Sequence, residues 1–459
     1  MSGGLSAALN SGRTSLQTNQ KAIEITGLNI ANVNTEGYSR QTPYLTPYPS
    51  LNFGDFFIGT GVTVGSVQRS HDLFLAGQIQ GKAAEAGRES SMLGPLAELE
   101  RVIGIDEGSL ASEFDRFFDA WRQLSTNPGG EIERQMVLQS GAQLGQSFAN
   151  IDNEIQQQLR SLNSTISAKV DGVNQMLDQV AQLNSRIMTL ETAGQEANSD
   201  RDRRDLLLKE LSATIGATSF TTSSGAVSVQ LPNGMPLVEG TQANHLNAVV
   251  SATQVDLQLN FGSTTIALGR TALGGEFRGL YEVRDVMIPD VRNRLDQLAF
   301  SFANEVNTMH QAGTDLTGAA GGLFFVEPAA QQGAAANLRM NLETTSQIAA
   351  GTSAAPGDNL NALALLQLEQ KQTLGADTFG SFYGKIASSI GLETARNRLA
   401  EAGNRDSLVQ LENLRDGIDG VSLEDEMINL LKYQRGFEAS AKFLATVDEM
   451  MGTLMELKR

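Results

Sequence analysis

Cysteine is absent from the 459 residues of this chain, so disulfides, thiolate metal sites and cysteine nucleophiles are all excluded. Histidine is scarce: His71, His245 and His310 stand far apart, and the metalloprotease pattern H-E-x-x-H does not occur. The single tryptophan, Trp121, lies among phenylalanines at helical spacing, which predicts a core residue. From these residues we expect neither a metal site nor a cofactor.

Basic residues and long apolar runs are also few. The 34 Lys and Arg stand against 52 Asp and Glu, and no basic stripe is present, which argues against a nucleic-acid partner. No apolar run approaches the roughly 18 to 20 residues that a membrane span needs. The N-terminus, Met-Ser-Gly-Gly-Leu, lacks the basic and apolar regions of a secretory signal. These rules alone predict a cytoplasmic chain without membrane insertion.

Motifs that carry chemistry are missing as well. The phosphate-loop pattern G-x-x-x-x-G-K-[ST] and the nucleophile elbow G-x-S-x-G do not occur. Gly59, Gly61 and Gly65 are spaced for a turn rather than for a nucleotide loop. The mixed charges from Asp200 to Asp205 predict a solvated helix face with local ion pairs. We therefore expect no catalytic residues and a protein that is not an enzyme.

What the chain does have is a heptad repeat at each end. The N-terminal repeat is weak, because its second seam, through Gly12, Asn19 and Thr26, is only half apolar. The C-terminal repeat is sustained over about 30 residues, and Ser422 with Asp425 forms a capping box at its start. The residues predicted to form the assembly interface are Leu9, Leu16, Ile23, Ile30, Leu423, Leu430, Tyr433, Phe437, Leu444, Val447 and Met451.

Between the ends, apolar residues at three-four spacing predict long helices over 166–190, 287–309 and 376–416. Residues 212–279 alternate instead between apolar and polar, with a turn at Pro232-Asn233-Gly234, which predicts an antiparallel β module. The stretches 36–70 and 312–358 look loop-rich. The fold class predicted is mainly α with an inserted β domain: a terminal-helix coiled coil, long antiparallel helical rods and a small antiparallel β module.

These segments divide the chain into three predicted domains. Residues 1–40 with 420–459 form an inner terminal-helix coiled-coil domain, since each end has a heptad stripe that needs a partner. Residues 41–211 with 280–419 form the helical rod domain with its loop-rich segments. Residues 212–279 form the inserted β domain.

A motif follows the first helix and points to a family. It reads A-N-x-x-T-x-G-Y-S-R-Q, and its positions are Ala31, Asn32, Thr35, Gly37, Tyr38, Ser39, Arg40 and Gln41. Together with the C-terminal run 420–444, this motif loop resembles the axial proteins of the bacterial flagellum. The ending G-Y-S-R-Q and the segments 202–211 and 233–240 are similar to the family of the first hook-associated protein, the hook–filament junction subunit. One departure is Glu36, where many relatives carry proline.

The resemblance implies a structural subunit that leaves the cell through the flagellar export apparatus without a cleaved signal peptide and works at the extracellular hook–filament junction. Its implied partners are further copies of itself in a helical ring or tube, the flagellar hook protein, the second hook-associated junction protein and an export chaperone at the C-terminal helix. The terminal helices are expected to become ordered on assembly. The motif loop then contacts either the middle domain or a neighbouring subunit.

Two alternatives stay open on the sequence. A flagellar hook or rod axial protein would share both ends of the chain. An extracellular glycan-binding or enzymatic module could reside in the β insertion, although no catalytic constellation supports it.

Overall fold

The computed structural model describes residues 2–52, 57–106, 108–222, 225–251, 254–262, 264–355 and 357–456. In these residues the α-helices are α1 (Ser2–Ala31), α2 (Leu73–Val102), α3 (Leu110–Thr126), α4 (Glu131–Thr192), α5 (Asn198–Ile215), α6 (Gly275–Glu282), α7 (Ile288–Gln311), α8 (Ala334–Asn337), α9 (Leu360–Leu366), α10 (Phe379–Asp419) and α11 (Leu423–Glu456). The strands are β1 (Gln41–Pro47), β2 (Leu51–Asn52), β3 (Phe57–Ile58), β4 (Val62–Arg69), β5 (Thr218–Thr221), β6 (Val227–Gln230), β7 (Pro236–Glu239), β8 (Gln242–Ala243), β9 (Leu246–Val250), β10 (Val255–Phe261) and β11 (Thr264–Leu268).

Long helices dominate the chain, and the predicted fold class is confirmed. Helix α4 alone has 62 residues, which at about 1.5 Å per residue gives a rod roughly 93 Å long. Ile166, Val170, Val173 and Leu177 recur on its buried face at three-four spacing. Helix α2 runs antiparallel to α4, and α10 runs antiparallel to α2.

The main core lies where α3, α4, α7 and α10 meet. Phe117 from α3 packs edge-to-face against Phe302 from α7, with ring centroids 5.3 Å apart. Phe114 contacts Phe148 of α4, at a centroid distance of 5.9 Å. The tryptophan predicted to be a core residue, Trp121, is fully buried in this cluster. The rods therefore have a large aromatic core of their own.

The predicted β module is present as two antiparallel sheets, with strand orders β5-β6-β7-β8 and β11-β10-β9. The turn predicted after β6 is made at Gly234, whose φ of +85° suits glycine. Asn184 of α4 holds the module to the rod, because its Nδ2 donates to the Val227 and Gly240 carbonyls at 2.7 Å. A π-helical turn, Val283–Met287, joins α6 to α7.

The two loop-rich stretches differ from each other. Residues 312–358 are irregular, as predicted, with isolated bridges such as Phe325 to Met340. The stretch 36–70 instead forms an antiparallel hairpin, in which β1 pairs with β4 from Gln41–Arg69 to Pro47–Val62. Its prolines suggested a loop, but β1 belongs to a two-stranded sheet, where an edge position tolerates proline.

No described helix combines the length and the apolar character that crossing a membrane requires.

Candidate assembly interface and its joint

Helices α1 and α11, here called the terminal pair, lie side by side and antiparallel. The hydroxyls of Ser15 and Ser440 are 2.8 Å apart. A Cβ added at Gly436 would lie 2.6 Å from Asn19 Oδ1, and one at Gly12 would lie 3.1 Å from Leu444 Cδ1. Residue numbers thus increase along α1 as they decrease along the facing side of α11, which makes the pair antiparallel. Gly12 and Gly436 lie where the two helices approach each other most closely.

The predicted interface residues of α11 mostly turn toward α1. Val447 is buried, and the following are half-buried: Leu430, Tyr433, Phe437, Leu444 and Met451. Leu423 is the exception, because 48% of it is exposed. It begins α11 one turn before Glu426, at a level where α1 has already ended. Leu423 therefore takes no part in the seam within one chain, and its place in the assembly interface remains a prediction.

The predicted α1 seam is less buried than expected. Leu9, Leu16, Ile23 and Ile30 are only half-buried. Apart from Ile25, the most buried positions of α1 are small or polar, and they are Ala7, Gly12, Thr18, Ala22, Thr26 and Asn29.

The hairpin explains this exchange of positions, because it covers a second side of α1. Thr18 Oγ1 donates to the Val62 carbonyl at 2.8 Å, and Thr14 Oγ1 donates to the Thr60 carbonyl at 3.3 Å. An apolar heptad stripe is typical of a helix that packs against one partner. Helix α1 packs against two elements, and small and hydroxyl-bearing residues allow both to approach it closely.

The motif loop turns at Gly37, whose φ of +78° is in the left-handed region that glycine tolerates. Upstream of the turn, Thr35 Oγ1 donates to Asn32 Oδ1 at 3.1 Å, while Asn32 Nδ2 donates back to the Leu28 carbonyl at 2.9 Å. Ala31 ends α1 and is exposed. This half of the motif therefore terminates the helix and makes its own local contacts.

Downstream of the turn, Asn29 of α1 organises the loop. Its Oδ1 accepts hydrogen bonds from Tyr38 Oη at 2.8 Å and from the Gln41 backbone N–H at 3.0 Å. Its Nδ2 donates to the Gln41 carbonyl at 2.8 Å and to Glu426 Oε2 at 3.1 Å. This buried amide uses all four of its hydrogen-bonding positions. Burial, and the charges of Asp202 and Glu426, raise the pKa of Tyr38 to about 12.

Arg40 connects the loop to two helices. Its Nε donates to Glu426 Oε1 at 2.8 Å, and the Glu426 side chain is almost fully buried. Its backbone N–H donates to the carbonyl of Asp419, the last residue of α10, at 2.7 Å. The loop therefore contacts the end of a rod and the start of α11 within one chain.

Asp202 of α5, a rod helix, binds the motif loop. Its carboxylate accepts from the Ser39 backbone N–H at 3.2 Å and pairs with Arg69 at 2.8 Å. Burial raises the pKa of Asp202, while the bonds from Ser39 and Arg69 act in the opposite direction. The prediction of a solvated face was wrong for Asp202, and also for Arg204, which is buried and donates to Asn184 Oδ1 at 2.9 Å.

Asp419 completes this region, here called the joint and made of the motif loop with Asn29, Arg69, Asp202, Asp419 and Glu426. Its carboxylate accepts from Ser70 Oγ at 2.9 Å and from the Asp72 N–H at 3.2 Å. Asp72 in turn caps the start of α2. The joint thus ties the terminal pair and the hairpin to three rod helices, α2, α5 and α10.

The sequence interpretation missed Asn29, Arg69, Asp202, Asp419 and Glu426. For Glu426 a signal was present. It stands seven residues before Tyr433, in the same heptad series as Ser440 and Val447, so an acid occupies a seam position. An isolated acid at such a position predicts a buried polar contact. For Asp202 and Asp419 the partners are remote in sequence and no local pattern marks them.

In the part of the chain that the structure describes, no group of three or more histidines and acids is arranged to hold a metal ion. The joint instead holds backbone and side chains together. The arrangement defines an elongated helical protein whose two ends fold as one antiparallel unit at the end of its rods.

Comparison with protein families agrees with this class. Residues 96–325, half of the chain, match the family described as the flagellar hook-associated protein FlgK helical domain. Residues 419–457 match the flagellar basal body rod FlgEFG protein C-terminal family, and residues 9–38 match the flagella basal body rod protein family. The ends are thus of a type shared with rod proteins, while the middle is of the hook-associated type.

Individual relatives agree. The flagellar hook-associated protein 1 of Escherichia coli K12 is 25% identical over 99% of this chain and 100% of its own length. That of Bacillus subtilis is 27% identical over 96% of both chains. The structure of the flagellar hook junction protein FlgK from Burkholderia pseudomallei has the same fold, with a TM-score of 0.68 at 16% identity, over 75% of this chain and 100% of that one.

The chain belongs to the flagellar hook-associated protein FlgK family. It is accordingly a hook-associated structural component of the bacterial flagellum. The alignment with the E. coli relative spans 553 positions, more than the 459 residues here, so that relative contains segments that this chain lacks. The matches to rod protein families are confined to the two ends, so the comparisons do not support a rod or hook protein, and they do not support a glycan-binding or enzymatic module in the β insertion.

Proposed function

We propose that this chain polymerises on the distal end of the hook and connects it, through the second hook-associated junction protein, to the filament. The observation that supports this most is the terminal pair. Its two helices come from opposite ends of the chain, and a buried hydrogen bond between Asn29 and Glu426 connects them. The motif loop then fixes the pair to the rods through Asp202 and Asp419. A ring of such pairs, one per copy, is the inner tube of the proposed assembly.

The proposed partners follow from the same surfaces. Copies of this chain meet through the terminal pair, where Met427, Leu431 and Met455 leave large apolar side chains exposed. The hook protein and the second junction protein contact the two ends of the resulting ring. An export chaperone binds the C-terminal helix before assembly, and the chain reaches the extracellular junction without a cleaved signal peptide.

We also propose that the chain catalyses no reaction. Its family is structural. The buried charged side chains bind backbone groups or other side chains of the fold. Arg134, for example, donates to the Pro128, Thr345 and Ile348 carbonyls. His310 lies between the Gly322 carbonyl and the Ala349 N–H, and so holds the irregular segment against α7.

Deletion of the gene tests the proposed function. The expected result is a cell that makes intact hooks, carries no filaments and releases unpolymerised flagellin into the medium. The full-length gene supplied from a plasmid should restore filaments. A deletion strain with normal filaments would exclude a junction role, and a strain without hooks would instead favour a hook or rod protein.

A further inference from the structure

A cleft with a volume of about 1010 Å³ opens between α2, α4 and α6. The α2 wall of the cleft includes small side chains such as Ser90 and Gly94, and a Cβ added at Gly94 would meet nothing within 4 Å. Two buried leucines, Leu162 of α4 and Leu280 of α6, line the cleft as well. The cleft is therefore comparable in volume to the sites that bind small molecules, and it has an apolar part.

Pro95 leaves a backbone acceptor in the α2 wall. It lies inside the helix, where a proline has no N–H to donate to the carbonyl four residues earlier, which is that of Ser91. Pro95 and Ser91 both line the cleft. The wall thus contains a carbonyl that lacks its helical donor.

Gln158 of α4 adds a second acceptor to the cleft. Its Nε2 donates to the Pro95 carbonyl at 2.5 Å, which fixes the orientation of the amide. Only 8% of Gln158 is exposed, and its Oε1 has no hydrogen-bond partner among the described residues. Because a buried acceptor without a donor costs about 1–3 kcal/mol, a ligand that supplies an N–H here is favoured.

The charges beside Gln158 are unbalanced. Glu154 lies four residues before Gln158 and therefore on the same face of α4, one turn away. Arg101 Nη2 donates to Glu98 Oε1 at 2.7 Å and to Glu154 Oε2 at 2.9 Å. Two carboxylates thus share one guanidinium at this end of the cleft.

The opposite end of the cleft is balanced, because Lys169 pairs there with Glu276 one to one. Lys169 stands 15 residues after Glu154 on α4, which places the two ends about 22 Å apart. Three acids and two cations line the cleft in total. The surplus negative charge therefore lies at the end where Gln158 stands.

We propose that the cleft binds an aliphatic amine, with its ammonium group against Gln158 and Glu154 and its methylene chain along Leu162. An ammonium group has N–H donors and no acceptor, which matches two acceptors without donors and a surplus carboxylate. A carboxylate or phosphate ligand is disfavoured, since it would bring further acceptors and negative charge to the same wall. The methylene chain packs on the buried leucines as the stem of a lysine side chain packs on apolar surface.

A matched pair of probes tests the ammonium group in the full-length monomer. The probes are putrescine, an unbranched diamine, and the uncharged diol of the same chain length. Titration calorimetry should show binding of the diamine and none of the diol. Absence of diamine binding, or equal binding of the two probes, overturns the proposal.

Two variants test the assigned groups. Gln158→Leu removes the acceptor and should weaken diamine binding about tenfold, because a hydrogen bond to a charged group is lost. Glu154→Gln removes the surplus charge and should weaken binding about fivefold. The Glu154 side chain is 44% exposed, so this variant keeps the test valid even if Gln158→Leu perturbs the fold.

The matched control is Asp406→Asn, which neutralises an exposed acid of α10 outside the cleft and should bind the diamine like the native chain. Circular dichroism checks that each variant is folded. If Gln158→Leu and Glu154→Gln both bind the diamine as tightly as the native chain does, the amine binds to the acidic surface at large and the proposed site is wrong.

Discussion

The rods and the terminal pair are both helical, yet they bury different kinds of side chain. The rod core contains Trp121, Phe117, Phe302 and Phe379, all essentially inaccessible to solvent. Apart from Ile25 and Val447, the terminal pair buries small and polar residues and leaves its larger apolar side chains half-buried or exposed. A rod core of this kind is complete within one chain.

The difference shows where the chain depends on other molecules. A helix pair with little buried apolar surface is only marginally stable alone, because helical stability in proteins comes mostly from packing. Neighbouring copies can supply the missing packing. Substitutions in the rods should then change the stability of the monomer, while substitutions in the terminal pair should change assembly.

The largest effect is expected at Phe437, which lies half-buried against α1. Phe437→Asp places a charge in the pair and should abolish assembly, as seen by sedimentation and as loss of filaments in cells. Phe437→Leu keeps the position apolar and should assemble. Both variants should retain the native unfolding midpoint of the rods, measured by Trp121 fluorescence. Normal filaments on the Asp variant would show that the seam is wrongly assigned.

Next comes the rod core. Trp121→Ala should lower the free energy of unfolding by about 3–5 kcal/mol, because it leaves a cavity among packed aromatic rings. Urea unfolding followed by circular dichroism measures the change. Leu399→Ala is a suitable comparison, because 76% of Leu399 is exposed, and it should change stability by less than about 0.5 kcal/mol. Equal losses in the two variants would contradict a rod core built from the aromatic cluster.

The joint should give an intermediate effect. Asp202→Ala removes a buried partner of Arg69 and of the Ser39 N–H, so we expect a loss of about 2–3 kcal/mol in the free energy of unfolding. Asp205→Ala should cost less, because Asp205 is more exposed and its partners are one end of Arg69 and, at 3.7 Å, His71, with no backbone N–H among them. A reversed order would show that Asp202 does not hold the loop.

A smaller effect should come with pH through His310. Burial lowers the pKa of His310, so the folded chain binds this proton less tightly than the unfolded chain does. Stability is then unaffected above the unfolded value of about 6.5 and falls as the pH decreases below it, by at most about 1.4 kcal/mol per pH unit. The His310→Gln variant should show a shallower fall between pH 7 and pH 5. An unchanged slope would exclude His310 as its source.

The smallest effect concerns two glycines of α1. Gly4→Ala should stabilise the assembled state by up to about 1 kcal/mol, since alanine is the better helix former and nothing lies within 4 Å of the added Cβ. At Gly12 the added Cβ meets Leu444 and Phe443 at 3.1 and 3.2 Å, which should cancel that gain. Thermal dissociation of the assembled protein compares the two. A larger gain at Gly12 would show that the helices are not in close contact there.

Much of the fold could be predicted from the sequence, because amphipathic periods and turn glycines are local signals. The residues from Ile166 to Leu177 and the turn at Gly234 are examples. The joint could not be predicted in this way. Asp202 resembles any acid on a charged helix until Ser39 and Arg69, more than 100 residues away, are placed beside it. In α1 the expected apolar seam gave way to Gly12 and Thr18, because two elements pack on that helix. The assignment of the interface residues and of the three domains remains a prediction.

Hydrogen exchange in the monomer and in the assembled protein tests the central claim most directly. Backbone amides of α4 and α7 should exchange slowly in both states. Those of α1 and α11 should exchange quickly in the monomer and become protected only on assembly. Terminal helices that are as protected in the monomer as the rods would contradict the account, because they would then need no neighbouring copy to complete their packing.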